Sequence, residues 1–182
     1  MLKRTFESRE SELWKKLYIS LVRPHLEFAV QVWHPSLQKD IETIEKVQER
    51  ATRIPSTHKN LSYAERLKLW GITSLEERRK RGDAIELYKT LNGIEEVDWI
   101  NPPTIKASIA NTGPASSVRG HSLRINRETF NSKLRNDHAA AVSARHCFFR
   151  NRVTPHWNAL SKSLVFSPTL EKFKVEYDRF FI

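Results

Sequence analysis

Two prolines, Pro24 and Pro35, bracket a stretch that has almost no polar side. A helix from Pro24 to Trp33 carries Leu26, Phe28, Ala29, Val30, Val32 and Trp33 around nearly its whole circumference. A short helix that is apolar all round has no face to give to water, so its place is between other elements. The pattern therefore predicts that 24–33 is the most buried element of the chain. Its neighbours also have helical spacing. Upstream, a helix from Ser8 to Val22 sets Leu13, Trp14, Leu17, Tyr18, Leu21 and Val22 on one face, and Pro24 is expected to stop it and pre-set the next first turn. Downstream, a helix from Ser36 to Arg53 sets Leu37, Ile41, Ile44, Val47, Ala51 and Ile54 on one arc. Glu42–Lys46 and Glu49–Arg53 lie opposite, in the favourable i,i+4 order.

Local signals continue the helical reading. Ser62 with Glu65 has the spacing of a capping box, and Gly71 suits the residue just past a helix end. Thr73 with Glu76, or Ser74 with Glu77, offers a start for the next helix, which is expected to end at Gly93. Residues 101–118, rich in Pro, Ser, Asn and small side chains, have little to bury and read as a flexible linker. His121 to Arg127 alternates polar and apolar residues, a weak strand signal. Residues 138–160 read as one or two short helices broken near Pro155. Ser167-Pro168 forms a cap-and-first-turn pair for a last helix striped by Leu170, Phe173, Tyr177, Phe180 and Phe181.

Charge divides the chain unevenly. The net charge is +10; residues 1–100 hold 18 basic against 16 acidic side chains, and residues 101–182 hold 13 against 5. Arg119, Arg124, Arg127, Lys133, Arg135, Arg145, Arg150 and Arg152 crowd 119–152 with only Glu128 and Asp137 opposing them. That asymmetry favours a polyanionic partner for the C-terminal half, against the alternative of a merely solvated surface. Cys147 is the only cysteine, so no internal disulfide forms and a reducing, intracellular setting (nucleus or cytoplasm) is expected. No apolar run approaches the roughly 20 residues of a membrane span, and the polar N-terminus lacks the apolar core of a secretory signal.

Four blocks of wording carry a resemblance. They are "LYISLVRPHLEFAVQVWHPSLQKDIETIEKVQERATR" (17–53), "NLSYAERLKLWGITSLEERRKRGDAIELYKTLNGI" (60–94), "RGHSLR" (119–124) and "FFRNRVTPHWNALSKSLVFSPTLEKFK" (148–174). In this order and spacing they resemble the region that follows the palm in jockey-like LINE-type (non-LTR) retrotransposon reverse transcriptases. The resemblance implies thumb-side helices and a C-terminal part that hold template RNA and primer DNA. It also implies that the catalytic aspartates lie upstream. This sequence has no adjacent Asp-Asp; Asp40, Asp83, Asp98, Asp137 and Asp178 stand singly, without the pairing that two magnesium ions require. No catalytic residue, metal or cofactor is therefore expected.

Other candidates have plainer explanations. The run Arg78 to Arg81 invites a phosphate-contact reading, yet four consecutive helical residues wind round most of the circumference and cannot form one basic face. Arg78 shares a side with Leu75, Gly82 and Ile85, which predicts an inward arginine met by a carboxylate, and Gly82 suggests a close helix approach. His146 adjoins Cys147 and the remaining histidines do not fall at zinc-ligand spacing. Of the tryptophans, Trp157 beside Asn158, Arg150 and Arg152 comes nearest to a base-stacking surface, although core packing and hydrogen bonding are their commoner roles.

The expected molecule is mostly α: a helical array at 1–100, a flexible linker at 101–118 and a small basic unit at 119–182 that can include a short strand. The eight basic residues of 119–152 are the expected nucleic-acid contacts. The alternatives are a helical protein-interaction (adaptor) module with protein partners, or a translated remnant with no function.

Overall fold

The computed structural model describes residues 5–99, 102–106, 121–127 and 147–181. Among these the regular structure is helical: α1 Ser11–Leu17, a π-helical turn Tyr18–Val22, α2 Arg23–Glu27, α3 Val30–Trp33, α4 Gln38–Thr52, a 3-10 turn Ser56–His58, α5 Tyr63–Trp70, α6 Leu75–Leu91, α7 Phe149–Ala159, α8 Lys162–Val165 and α9 Leu170–Phe181. The mostly α expectation holds. Two compact units form, Met1–Arg79 and Lys80–Ile182. The first unit closes within α6, and the expected linker at 101–118 lies outside the described residues except at 102–106. The reason is apolar: Ala84, Leu87 and Tyr88 of α6 share one core with Phe149, Trp157 and Phe173.

In the first unit Trp14, Tyr18 and Trp70 make a small core, joined by the partly buried Phe6, Val22, Ile54 and Ile72. Pro24 does not stop the first helix. The chain passes from α1 through the π turn into α2, and the Arg23 N–H bonds back five residues to the Tyr18 carbonyl. A widened turn at this point coincides with the bond that Pro24 cannot donate. The expected continuous helix 24–33 is also absent. Phe28 is extended and Ala29 takes a left-handed conformation (φ 51°), so the stretch breaks into α2 and α3. Nor is it the most buried element. Phe28 is 77% exposed, Val32 85% and Trp33 39%, with only Val30 buried. What anchors this stretch is ionic: Glu27 sits 3.5 Å from Arg23 and accepts both arms of the Arg78 guanidinium, Nη2 at 2.8 Å. The inward arginine of the RRKR run thus meets its carboxylate.

The face of α4 is turned relative to the expected arc. Gln48 and Thr52 are fully buried, whereas Leu37 and Val47 are exposed. Gln48 explains the turn. Its Oε1 accepts from Tyr18 Oη at 2.7 Å, and its Nε2 donates to Tyr63 Oη and the Thr73 carbonyl, both at 2.9 Å. One amide uses both of its donors and one acceptor site to join three segments. Tyr63 in turn donates to Glu45, whose carboxylate takes the Leu75 N–H at 3.0 Å. Burial pushes both phenols up, and the Glu45 bond adds to the shift at Tyr63, so both remain neutral donors. The capping signals fall where expected: Ser62 and Glu65 form a full capping box, Gly71 ends α5 at φ 59°, and Ser74 with Glu77 opens α6.

In the second unit Tyr88 stacks on Phe173 at 4.4 Å, and its hydroxyl donates to the Ser167 carbonyl at 2.6 Å. Four expectations change here. Helix α7 runs on through Pro155, losing one backbone bond rather than breaking. The cap of α9 is Thr169, whose hydroxyl accepts from the Lys172 N–H, rather than Ser167. Among the described residues a Cβ at Gly82 would meet no atom within 4 Å, so none of the described helices approaches closely there. The alternating stretch 121–127 forms one antiparallel bridge, Ile105 with Ile125, instead of a strand.

Candidate nucleic-acid interface

The segment 121–127 lies against α7 through side chains that replace a neighbouring strand. His121 Nε2 donates to the Trp157 carbonyl at 3.0 Å, and Trp157 Nε1 donates to the Leu123 carbonyl at 2.9 Å. Asn158 then takes both polar groups of Ile125: Oδ1 accepts its N–H and Nδ2 donates to its carbonyl, each at 2.9 Å. The opposite edge bonds to 102–106, with Lys106 N to the Arg124 carbonyl at 2.7 Å and Asn126 N to the Thr104 carbonyl at 2.9 Å. Backbone groups thus alternate between α7 and the 102–106 segment, as in a strand. Trp157 and Ile125 are fully buried, so the ladder is pinned to the core of the second unit.

This scaffold presents a cleft of about 420 Å³ lined by Lys106, Arg124, Arg127, Thr154, Pro155, Asn158 and Ala159. Among the described residues, three cations line it and no carboxylate does. The hydroxyl of Thr154 is committed to the Arg150 carbonyl at 2.6 Å, and the amide of Asn158 to Ile125. The cations that line the cleft are Lys106, Arg124 and Arg127, and both arginines also make interactions within the chain. Burial holds the His121 imidazole below its ordinary value near 6.5, and the charge of Arg124 pushes the same way. With its Nε2–H given to Trp157, His121 remains a neutral support behind the cleft.

Of the eight expected contacts, Arg124 and Arg127 come together at the cleft. Arg150 instead reaches Thr104, Nη2 to Oγ1 at 3.4 Å. Arg152 leaves the set: its guanidinium forms a two-armed bond to Asp83, 2.9 Å on each arm, and also donates to the Cys147 carbonyl. With side chains 12% and 5% exposed, that pair is internal, and its charge is neutralised before any phosphate arrives. Arg119, Lys133, Arg135 and Arg145 lie outside the described residues. Lys106 was missed because its Pro-rich surroundings read as linker; the Thr-Ile-Lys alternation at 104–106 was the available signal. Trp157 and Asn158 take core and hydrogen-bonding roles, and neither offers a stacking face.

The first unit holds one arrangement with the outline of a nucleophile and its base. Ser11 Oγ lies 2.9 Å from His58 Nε2, and His58 Nδ1 lies 2.9 Å from the Thr52 carbonyl. A carbonyl only accepts, so Nδ1 carries the proton and Nε2 accepts from the serine. Yet Ser11 also receives the Trp70 indole N–H at 2.9 Å, and His58 is fully buried with its ring 5.7 Å from that of Trp70. The third partner is a backbone carbonyl rather than a carboxylate, which gives no charge to stabilise an imidazolium. This set ties α1, α5 and the 56–58 turn together.

Among the described residues no three His, Cys, Asp or Glu side chains gather to hold a metal ion, and no helix is long and apolar enough to cross a membrane. Compared with protein-family models, with curated proteins and with solved structures, the chain matches none.

Proposed function

We propose that this chain is the post-palm, C-terminal segment of a jockey-like LINE-type retrotransposon RNA-directed DNA polymerase, and that its part is to hold template RNA and primer DNA through their phosphates. The four sequence blocks support the origin. The observation that carries the binding role is the gathering of Lys106, Arg124 and Arg127 round one cleft without a carboxylate among the described lining residues. Contacts of that kind position a strand and carry no sequence information. Affinity should accordingly be weak and sequence-tolerant, about 10⁻⁴ to 10⁻⁶ M near physiological salt. Neutralising about three phosphates of a duplex gives log K a slope near −3 against log salt. A titration of short duplexes and single strands at several salt concentrations tests this; binding indifferent to salt counts against it. On its own the chain carries no polymerase centre, so primer extension with magnesium or manganese should stay blank.

The run of exposed apolar side chains at Phe28, Val32, Trp33 and Leu37 favours a second reading, a helical protein-interaction module. No binding of RNA or DNA at low salt, with concentration-dependent self-association or capture of a protein partner abolished by Phe28→Ser and Val32→Ser, is the outcome that selects it.

A further inference from the structure

We infer that the outer face of α4, in the first unit, is a second contact surface for a nucleic-acid backbone, formed by residues other than those of the cleft. It rests on the nucleic-acid reading above and extends it to a region whose charges nearly cancel, 18 basic against 16 acidic over 1–100. Lys39, Lys46 and Arg53 recur every seven residues, and Arg53 continues the helical path as the residue that closes α4. With Arg50 beside them, all four fall within roughly 60° of one another at about 100° per residue, along about 21 Å of helix. All four are exposed, and among the described residues none of their side chains makes an ion pair or a hydrogen bond. The two pairs favoured by i,i+4 spacing, Glu42–Lys46 and Glu49–Arg53, do not form. Glu42, the acid nearest the row, accepts from Gln38 Nε2 at 3.2 Å, and Glu49 lies 3.8 Å from Arg66. Glu45 is taken by Tyr63 and by the Leu75 N–H. The remaining acid, Asp40, stands roughly 80–140° round the helix from the four cations.

The row suits phosphates better than a protein surface. A protein partner needs an apolar centre from which water is excluded. Between its cations the row offers Thr43, whose hydroxyl is spent on the Lys39 carbonyl at 2.7 Å, while the half-exposed Val47 lies on the Asp40 flank. Like charges strung along a rigid helix repel one another until a regular series of negative charges meets them, and a sugar-phosphate backbone supplies one per nucleotide.

The test treats the unaltered full chain with an amine-acetylating reagent, with and without a short duplex at low salt, and reads each lysine by mass spectrometry. The duplex should protect Lys39 and Lys46, but not Lys16 of α1 or Lys68 of α5, which are also exposed. Lys39→Gln, Lys46→Gln, Arg50→Gln and Arg53→Gln together should weaken duplex binding about tenfold. Melting temperature should be unchanged, since glutamine is as good a helix former as the residues it replaces. The same four-charge loss at Lys16, Lys68, Lys162 and Lys172 should weaken binding far less. Protection of Lys106 reports the cleft separately. Lys106 protected with Lys39 and Lys46 still reactive overturns the α4 face and leaves the general reading standing. Even protection of every lysine, or equal weakening by the two sets of substitutions, reduces the attraction to net charge and overturns the α4 face as well. Polyglutamate that protects Lys39 and Lys46 as well as the duplex does, at equal charge, makes the face a site for acidic protein and overturns the nucleic-acid assignment. Failure of every strand to bind at low salt overturns the general reading, and this one with it.

Discussion

The stretch 24–37 and helix α7 reverse the usual relation between composition and burial. The first is rich in Leu, Phe, Val and Trp, yet Phe28, Val32 and Leu37 stand in solvent. The second reads Phe-Arg-Asn-Arg-Val-Thr-Pro-His-Trp-Asn-Ala, and Asn151 and Thr154 are buried alongside Val153 and Trp157. The difference is partnership. In α7, Arg152 meets Asp83, Thr154 meets the Arg150 carbonyl, and Asn158 meets Ile125. Each polar side chain that enters has somewhere to bond, so the cost of taking it out of water is met. The 24–37 stretch has apolar surface in plenty, but its backbone breaks at Phe28 and Ala29, and only Val30 of α3 is buried.

The sharpest way to break this comparison is to truncate one tryptophan from each region. Trp157→Ala should cost about 3–5 kcal/mol of unfolding free energy, because a fully buried ring leaves a cavity. Trp33→Ala should cost far less. Similar losses for both in denaturant titrations would mean that 24–33 is packed after all. A smaller contrast sits within α4 alone. Gln48→Leu strands buried hydroxyl and carbonyl partners at about 1–3 kcal/mol, whereas Leu37→Ser should change stability by within about 0.5 kcal/mol; thermal melts of the two variants order them.

Gly82→Ala should stabilise by about 0.5–1 kcal/mol, since the position is helical and the space for a methyl group is open. A loss of stability there would reveal a close neighbour. The gentlest effect concerns acid. Burial lowers the imidazoles of both His121 and His156 below their ordinary value near 6.5, and nearby Arg124 and Lys80 act in the same direction. As pH falls below about 6.5 the unfolded chain takes up these protons first, so stability is full above that point and declines between it and the lower folded values. Melting temperatures across this window should drop with pH, and His121→Gln should flatten the decline. A melting temperature that rises on acidification would remove both histidines from the buried set.

Much of the helical plan was legible because caps are local. Ser62 with Glu65, Ser74 with Glu77, and Gly71 bond within a few residues of themselves, so spacing alone announces them. The Arg78–Glu27 pair was half legible: helical geometry required an inward partner, but nothing in the sequence said which carboxylate. What escaped depended on long-range partners. Gln48 carries no mark of burial in the sequence, and it is Tyr18, Tyr63 and Thr73 that surround it. Arg152 counts as a basic surface residue until Asp83, distant in sequence, claims it. The cleft was legible through Arg124 and Arg127, and incomplete without Lys106, whose place depends on the Ile105–Ile125 pairing.

That pairing has a consequence for how the molecule behaves in a crowd. A lone extended segment ordinarily offers its unbonded N–H and C=O groups to any passing chain, and such an edge is a template for aggregation. At Ile125 the Asn158 amide occupies both groups in the manner of a peptide unit. A second chain arriving there would find the docking positions already taken. One side chain on a helix thus does the blocking that other proteins assign to a whole extra strand, and Asn158→Ala variants should show their first defect as turbidity on concentration.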